Sequence, residues 1–365
     1  MAGLYIHIPL CRSKCIYCDF YSTAVLTRGD AVVDGLLDEL QQRRDEVGDI
    51  HTIYIGGGTP SVLTPEQFRT LAEALPREHC REFTIEVNPE DVTDRAVALW
   101  RSMGVNRVSM GVQTLSDELL LLLRRRHSAA QALEAIATLQ RGGIDNISCD
   151  VMYGLPGMSI EQWERTLTTL ISTGISHLSA YCLTVYEGTL LYKMIERGEL
   201  AEVDEETEAR EYETLRRVAV GSGFEHYEIA NFARAGFESR HNSAYWRVDS
   251  QWLGIGPSAH SFDGRVRRVD VADTREWLRR LPYPCDIEPE SDVERINDFI
   301  VASLRTARGL DLRALPPAVA EAIRRDAAVF LATGMMALTP EGHLAIRPEH
   351  WLIADSFIRE LMRET

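Results

Sequence analysis

From residue 4 to about 185 the chain repeats one pattern: a short β-rich run, a loop, then a longer stretch with helical character. The strand-like runs fall at 4–8, 52–55, 82–87, 107–112, 147–152 and 177–183. Helix-like segments lie between them near 31–46, 65–75, 93–102, 116–141 with a break at His127, and 159–172. Repeated βα units predict a parallel sheet covered by helices, and the fold class read from them is α/β. Six units fall short of the eight of a closed barrel, so the pattern predicts a partial (β/α)6, TIM-like barrel, although periodicity alone does not separate it from a doubly wound sheet. Beyond 200 the pattern changes. A charged helical stretch at 202–220 precedes short apolar runs near 224–230 and 252–262, then helices at 290–307 and 317–332. The run A-L-T-P-E-G-H-L-A-I-R-P at 337–348 predicts a turn and strand pair before a terminal helix, as in a smaller α+β, winged-helix-like domain. The expected division is 1–200, 201–288 and 289–365.

Polar and glycine residues gather where the predicted strands end: Cys11 after the first, Gly56 to Thr59 after the second, Glu86 and Asn88 on the third, Gln113 after the fourth, Asp150 and Gly154 on the fifth. In both barrels and open α/β sheets the C-terminal strand ends form the working face, so these residues are expected to line one cavity. Composition narrows what that cavity serves. A net charge of −16 over 365 residues argues against nucleic acid, apart from a local basic patch at Arg124, Arg125 and Arg126. The N-terminal run has no charged region followed by a long apolar stretch, so the reading is a cytoplasmic protein without a membrane span. Seven cysteines, three of them within eight positions, do not form a disulfide framework; Cys149 and Cys182 sit in apolar runs and read as buried thiols.

The three clustered cysteines are Cys11, Cys15 and Cys18 in C-R-S-K-C-I-Y-C-D-F. Thiolates on one short loop suit zinc or iron-sulfur sites. Zinc would want a fourth protein ligand, and His7 is the candidate; an iron-sulfur cube would take three corners and leave one iron open. Gly56-Gly57-Gly58-Thr59 lacks both the dinucleotide fingerprint and the phosphate-loop Gly-Lys-Ser/Thr, which disfavours a nucleotide-phosphate site. Its glycines are expected to let a ligand approach the backbone closely, or simply to make a tight turn. Glu86 and Asp150, between apolar neighbours, read as pocket acids or as paired structural carboxylates. Gln113 reads as a pocket residue or a helix cap, Arg125 as a pocket cation or solvated surface, and Tyr5 as a pocket ring or plain packing.

The cysteine spacing after a first strand, followed one unit later by G-G-G-T-P, resembles the radical S-adenosylmethionine superfamily. With Y-I-H-I-P at 5–9, S-M-G-V-Q at 109–113, D-V-M-Y-G-L-P-G at 150–157, H-N-S-A-Y-W at 241–246 and G-I-G-P-S-A-H-S at 254–261, the whole chain resembles the oxygen-independent coproporphyrinogen III oxidase group, and within it the haem-chaperone branch. The resemblance implies a radical-SAM barrel holding a 4Fe-4S cluster on Cys11, Cys15 and Cys18, its open iron chelating S-adenosylmethionine. It implies Tyr5 beside the methionyl group, Gly57, Gly58 and Thr59 at the amino end, and Glu86 near the ammonium and ribose. Gln113 and Arg125 would hold ribose and carboxylate, and Asp150 the ribose. Tyr17 and Phe20 would shield the cluster. Two departures from the oxidase pattern weigh against propionate decarboxylation: Phe20 replaces a further cysteine, and only three residues precede Leu4. H-N-S-A-Y-W implies a third cofactor, haem, with His241 donating to iron beside Tyr245 and Trp246; the duller alternative is a packed turn. His260 is a second candidate ligand. The implied partners are haem, haem-acceptor proteins such as respiratory enzymes, contacted peripherally where they lie in membranes, and an electron donor if the cofactor is cleaved.

Overall fold

The computed structural model describes residues 2–247, 250–279 and 283–364. Its centre is six strands in parallel register: β1 (Ala2–Ile8), β2 (Ile50–Gly57), β3 (Glu82–Val87), β4 (Arg107–Gln113), β5 (Ile147–Tyr153) and β6 (His177–Cys182). The covering helices are α1 (Gly29–Arg43), α2 (Pro65–Ala74), α3 (Asp94–Ser102), α4 (Asp117–Leu122), α5 (Ala129–Arg141) and α6 (Ile160–Ser172). Alternation decides which face does what. Leu4, Ile6 and Ile8, then Ile53 and Ile55, Phe83 and Ile85, and Val108 and Met110 are buried in one core with Leu36, Leu71, Val97 and Ile136 of the helices. The intervening positions on the other face are mostly polar, from Thr52 through Glu82, Glu86, Arg107, Ser109, Ser148 and Asp150 to His177 and Ser179.

Helix starts follow local chemistry. Thr64 with Gln67, Ser128 with Gln131 and Ser159 with Gln162 form reciprocal capping boxes at α2, α5 and α6. The break expected at His127 is real: Arg124 turns into the left-handed region (φ 57°), and buried His127 bonds the Val112 carbonyl through Nε2 at 3.2 Å.

Residues past 183 add α7 (Leu190–Glu196) and α8 (Glu205–Gly221), then feed both edges of the same sheet. The strands β7 (Glu225–Glu228) and β8 (Asn231–Ala233) extend the β6 side antiparallel. After α9 (Arg240–Tyr245) the chain crosses over, and β9 (Gln251–Ile255) pairs parallel with β1. The strands β10 (His260–Phe262), β11 (Val266–Asp270) and, past α10 (Thr274–Trp277), β12 (Cys285–Pro289) follow antiparallel. The result is a twelve-stranded mixed sheet in the order β12-β11-β10-β9-β1-β2-β3-β4-β5-β6-β8-β7. The two outermost strands are not paired with each other, so the six-unit barrel is open. The smaller C-terminal α+β region comprises α11 (Asp292–Leu304), α12 (Pro317–Asp326), α13 (Ala328–Ala332), the hairpin β13 (Met336–Leu338) and β14 (Leu344–Ile346), and α14 (Ala354–Leu361).

Candidate functional site

The loop after β1 is stapled at both ends. Cys11 N–H donates to the Thr23 carbonyl at 3.0 Å and Thr23 N–H to that of Pro9 at 2.7 Å, while buried Ile16 receives the Leu191 N–H at 2.8 Å. Cys11, Cys15 and Cys18 all face one cavity of about 620 Å³ at the C-terminal ends of β1 to β6. Gly57, Gly58, Thr59, Glu86, Asn88, Gln113, Arg125 and Asp150 line the same cavity, whereas Gly56 and Gly154 of the expected set do not. Tyr5 lies apart. Its ring lines an adjoining cavity, and its hydroxyl meets His7 Nδ1 at 3.2 Å.

His7 is not a fourth metal ligand, because its Nε2 meets the Tyr21 carbonyl at 2.9 Å and its Nδ1 the Tyr5 hydroxyl. The donor set on the loop is therefore three thiols without a histidine. Among the described residues no three His, Cys, Asp or Glu side chains are gathered to hold a single metal ion. Around the thiols, Thr59 Oγ1 donates to Cys11 Sγ at 3.3 Å, and Arg125 reaches Cys15 Sγ at 3.6 Å. Arg125 is fixed by two further bonds from Nη2, to Asn88 Oδ1 at 2.7 Å and the Gly111 carbonyl at 2.6 Å, with exposed Arg124 and Arg126 on either side. Gln113 stands at a register shift between β4 and β5 with φ 67°, an uncommon backbone for a non-glycine residue and one that gathers at functional sites. It does not cap the next helix; Ser116 does.

The glycine loop works differently from the expectation. A Cβ on Gly57 (φ +107°) would stand 2.7 Å from the His7 ring, one on Gly58 2.7 Å from the Leu10 carbonyl oxygen, and one on Gly56 2.9 Å from Glu86. The space is taken by the protein itself. The Gly58 N–H already donates to Ile8 and the Gly57 N–H to Glu86. These glycines let the cysteine loop and β3 close on β2, and Gly57 and Gly58 also line the thiol cavity.

Glu86 accepts from the Tyr54 hydroxyl at 2.8 Å and the Gly57 N–H at 3.1 Å. Burial pushes its carboxyl up to about 7, with Asp150 adding to the rise while Tyr54, Gly57 and Arg107 hold it down. Asp150 accepts from Ser109 at 3.0 and 3.2 Å, and burial pushes it up to about 6 against the Ser179, Ser109 and Arg107 contributions. Sequence reasoning missed Arg107. It is 1 % exposed, and none of its three guanidinium nitrogens has a hydrogen-bond partner among the described residues. It serves as a fixed positive charge beneath both acids. It was missed because an arginine opening a strand reads as surface; its place two residues before Ser109, on the inward face, was the available signal.

His241 is packed within the fold. It is 2 % exposed in α9, which contacts β1 and β2, with Thr52 on Nδ1 at 2.8 Å, Tyr245 on Nε2 at 2.9 Å, and its ring stacked on Tyr54 at 5.1 Å. The helix start is held by Glu82, whose two oxygens accept the Arg240 and His241 N–H groups, each at 2.9 Å. Both ring nitrogens are bonded within the chain, the arrangement of the packed-turn alternative. Tyr245 and Trp246 of the same segment do reach the adjoining cavity, which measures about 570 Å³. That cavity meets the first at Phe20 and Ser258, which line both. Phe20 is 72 % exposed and stands at the seam.

Three thiols, the half-buried acids Glu86 and Asp150, and Arg125 share one cavity of an open six-unit barrel, the arrangement of the radical S-adenosylmethionine class. Residues 5–170 match the radical SAM superfamily model. The chain is 34% identical over 323 residues to the heme chaperone HemW of Bacillus subtilis (strain 168), covering 85% of each chain. It is 32% identical over 379 residues to the heme chaperone HemW of Mycobacterium tuberculosis (strain H37Rv), covering 99% of this chain and 94% of that one. The chain belongs to the HemW family and so to the HemN/HemW-like group of porphyrin and haem metabolism. Among solved structures, coproporphyrinogen III oxidase (HemN) from Escherichia coli matches in fold with a TM-score of 0.85 at 21% identity, over 99% of this chain and 90% of that one.

Proposed function

We propose that this protein binds haem and passes it to acceptor proteins, and that it carries a 4Fe-4S cluster on Cys11, Cys15 and Cys18 with S-adenosylmethionine at the open iron. One observation carries the reading: a thiol-lined cavity and a cavity with several aromatic walls meet at Phe20, a layout that would bring two different cofactors side by side. The thiols fit the cluster because three converge on one cavity while the neighbouring histidine is occupied. When bound, the cluster and S-adenosylmethionine supply one-electron chemistry, for which an external electron donor is needed. The chain's own residues do the rest. Arg125 offers its charge to a carboxylate, Glu86 its carboxylate to a cationic amine or sulfonium, and Asp150 and Gln113 their oxygens to hydroxyls. Among the described residues no helix is long and apolar enough to cross a membrane, so membrane-bound acceptors would be met at a surface.

A second reading, oxidative decarboxylation of coproporphyrinogen III, is favoured by the whole-chain fold likeness to the oxidase. Phe20 in place of the oxidase pattern's further cysteine speaks for haem handling instead. Anaerobically reconstituted protein separates the two in parallel assays. Haem retention above an albumin-like background without porphyrinogen turnover is the expected result. Protoporphyrinogen IX formed from coproporphyrinogen III, with reductant, S-adenosylmethionine and an electron acceptor present and no specific haem binding, would replace the first reading with the second.

A further inference from the structure

Resting on the haem reading above, we infer that the aromatic cavity is the iron-porphyrin site and that His260 supplies the axial ligand. Strand alternation sets the side-chain directions. In β10, Ser261 points to the helix-covered face, where its hydroxyl receives the buried Arg43 guanidinium of α1 at 2.8 Å, so His260 and Phe262 are turned to the cavity side. The backbone beneath them is fixed: a Cβ at Gly254 of β9 would fall 2.2 Å from the His260 carbonyl oxygen, so the two strands approach as only glycine allows. The imidazole is thus anchored at its root and open at its ring.

His7, the other histidine that lines this cavity, is bonded through both nitrogens, as are His177, held by Ser148 and Tyr227, and His241, held by Thr52 and Tyr245; His51 and His226 each keep an Nδ1 unpaired among the described residues but do not line this cavity. His260 makes no side-chain hydrogen bond among the described residues. Burial and the nearby Arg267 lower its pKa against the pull of Glu288, which keeps the ring in the neutral form whose lone pair binds iron. Donation of that pair displaces at most a weakly held water and needs no oxidant or reductant.

The walls suit a flat macrocycle. Trp252, Phe262, Tyr245, Trp246 and Phe20 supply aromatic surface, and about 570 Å³ lies within the usual range for cofactor-sized cavities. Cations stand at the rim. Arg267, paired with Glu290 and Asp298, and Arg295, at a side-chain exposure of 42 % beside Asp292, line the cavity. The propionates of a porphyrin would meet these guanidinium groups in competition with their carboxylate partners, and its ring would touch Phe20 at the seam with the thiol cavity.

Titration of the anaerobic full-length protein with haemin, read at the Soret band, tests this. Wild type is expected to show a nitrogen-ligated spectrum. His260→Ala should bind haemin about tenfold more weakly and lose that spectrum. Free imidazole should restore it, and binding of metal-free protoporphyrin IX, read by fluorescence, should be unchanged. His260→Gln, which keeps a polar side chain, gives the same comparison if the alanine variant folds poorly. Wild type that binds haemin beside variants with unaltered spectrum and affinity overturns the inference and leaves the haem reading standing. Equal loss of haemin and protoporphyrin IX without imidazole rescue makes His260 a packing residue and also overturns it. Wild type that binds no haemin fails the haem reading itself.

Discussion

Glu86 has a conflict of interest between fold and ligand. Its carboxyl is raised from 4.5 to about 7 by burial, so the folded state holds a proton that the unfolded chain releases near its ordinary value. Between those two values the native state binds more protons than the unfolded state, and stability from this group therefore falls as pH rises through about 4.5 to 7. At pH 8 the fold carries the carboxylate at a cost of about 3 kcal/mol. Glu86→Gln should remove much of that cost, since an amide oxygen still accepts the Gly57 N–H and the amide nitrogen donates to the Tyr54 hydroxyl. In urea unfolding of cluster-free protein the variant should match wild type at pH 5 and exceed it by about 1–2 kcal/mol at pH 8. Under the proposed function the same variant should bind S-adenosylmethionine more weakly and lose the rise in affinity from pH 6 to 8. Equal destabilisation at both pH values would show that the carboxylate is structural. Glu86 and Asp150 were legible because acids between apolar neighbours on strands stand out. Their setting was not, since Arg107, Tyr54 and Ser109 reach them only once three strands are in register.

At the scale of elements, the segment H-N-S-A-Y-W shows how a motif and its role come apart. Four residues separate His241 from Tyr245, one helical turn, so the two side chains lie on one face and bond each other. The sequence carried that spacing, but not the fact that α9 is pressed against β1 and β2, where Thr52 takes the remaining nitrogen. His241→Ala would leave the Thr52 and Tyr245 hydroxyls unpaired in a buried site and remove the ring stacked on Tyr54. The expected loss is about 3 kcal/mol by chemical denaturation, from two orphaned polar groups and a small cavity. The iron-ligand band of bound haem should not move. A shifted band in a variant of unchanged stability would restore His241 as the ligand and remove the structural account.

For the whole molecule, the question is what holds the late strands to a barrel begun some 240 residues earlier. The βα repeat made the six central strands legible to within a few residues at each end. It said nothing of β9 beside β1 or β8 beside β6, because pairing between distant strands leaves no local pattern. Arg43, at the end of α1, is the tie. It donates to Glu39 at 2.7 Å, the Gly254 carbonyl at 2.9 Å, Ser261 at 2.8 Å and Asp270 at 3.3 Å, and Glu39 in turn accepts from the Gly256 N–H and the Trp277 indole. One buried cation thus joins the first helix to β9, β10, β11 and α10, and β9 to β11 supply Trp252, His260, Phe262 and Arg267 to the aromatic cavity. Arg43→Ala leaves Glu39 and Asp270 buried with only Arg268 beside them, which should cost about 3 kcal/mol. Burial and Glu39 already raise the pKa of Asp270, and loss of Arg43 removes one of the two arginines that hold it down. Its proton is therefore taken up more readily in the variant, so the deficit should shrink on acidification from pH 8 to 6. Amide hydrogen exchange should show faster opening across β9 to β11 than across β3 to β5, and haem affinity should fall while the thiol cavity keeps its cluster. A deficit independent of pH, with exchange raised evenly over the sheet, would mean that Arg43 supports the fold at large and does not specifically join the two cavities' walls.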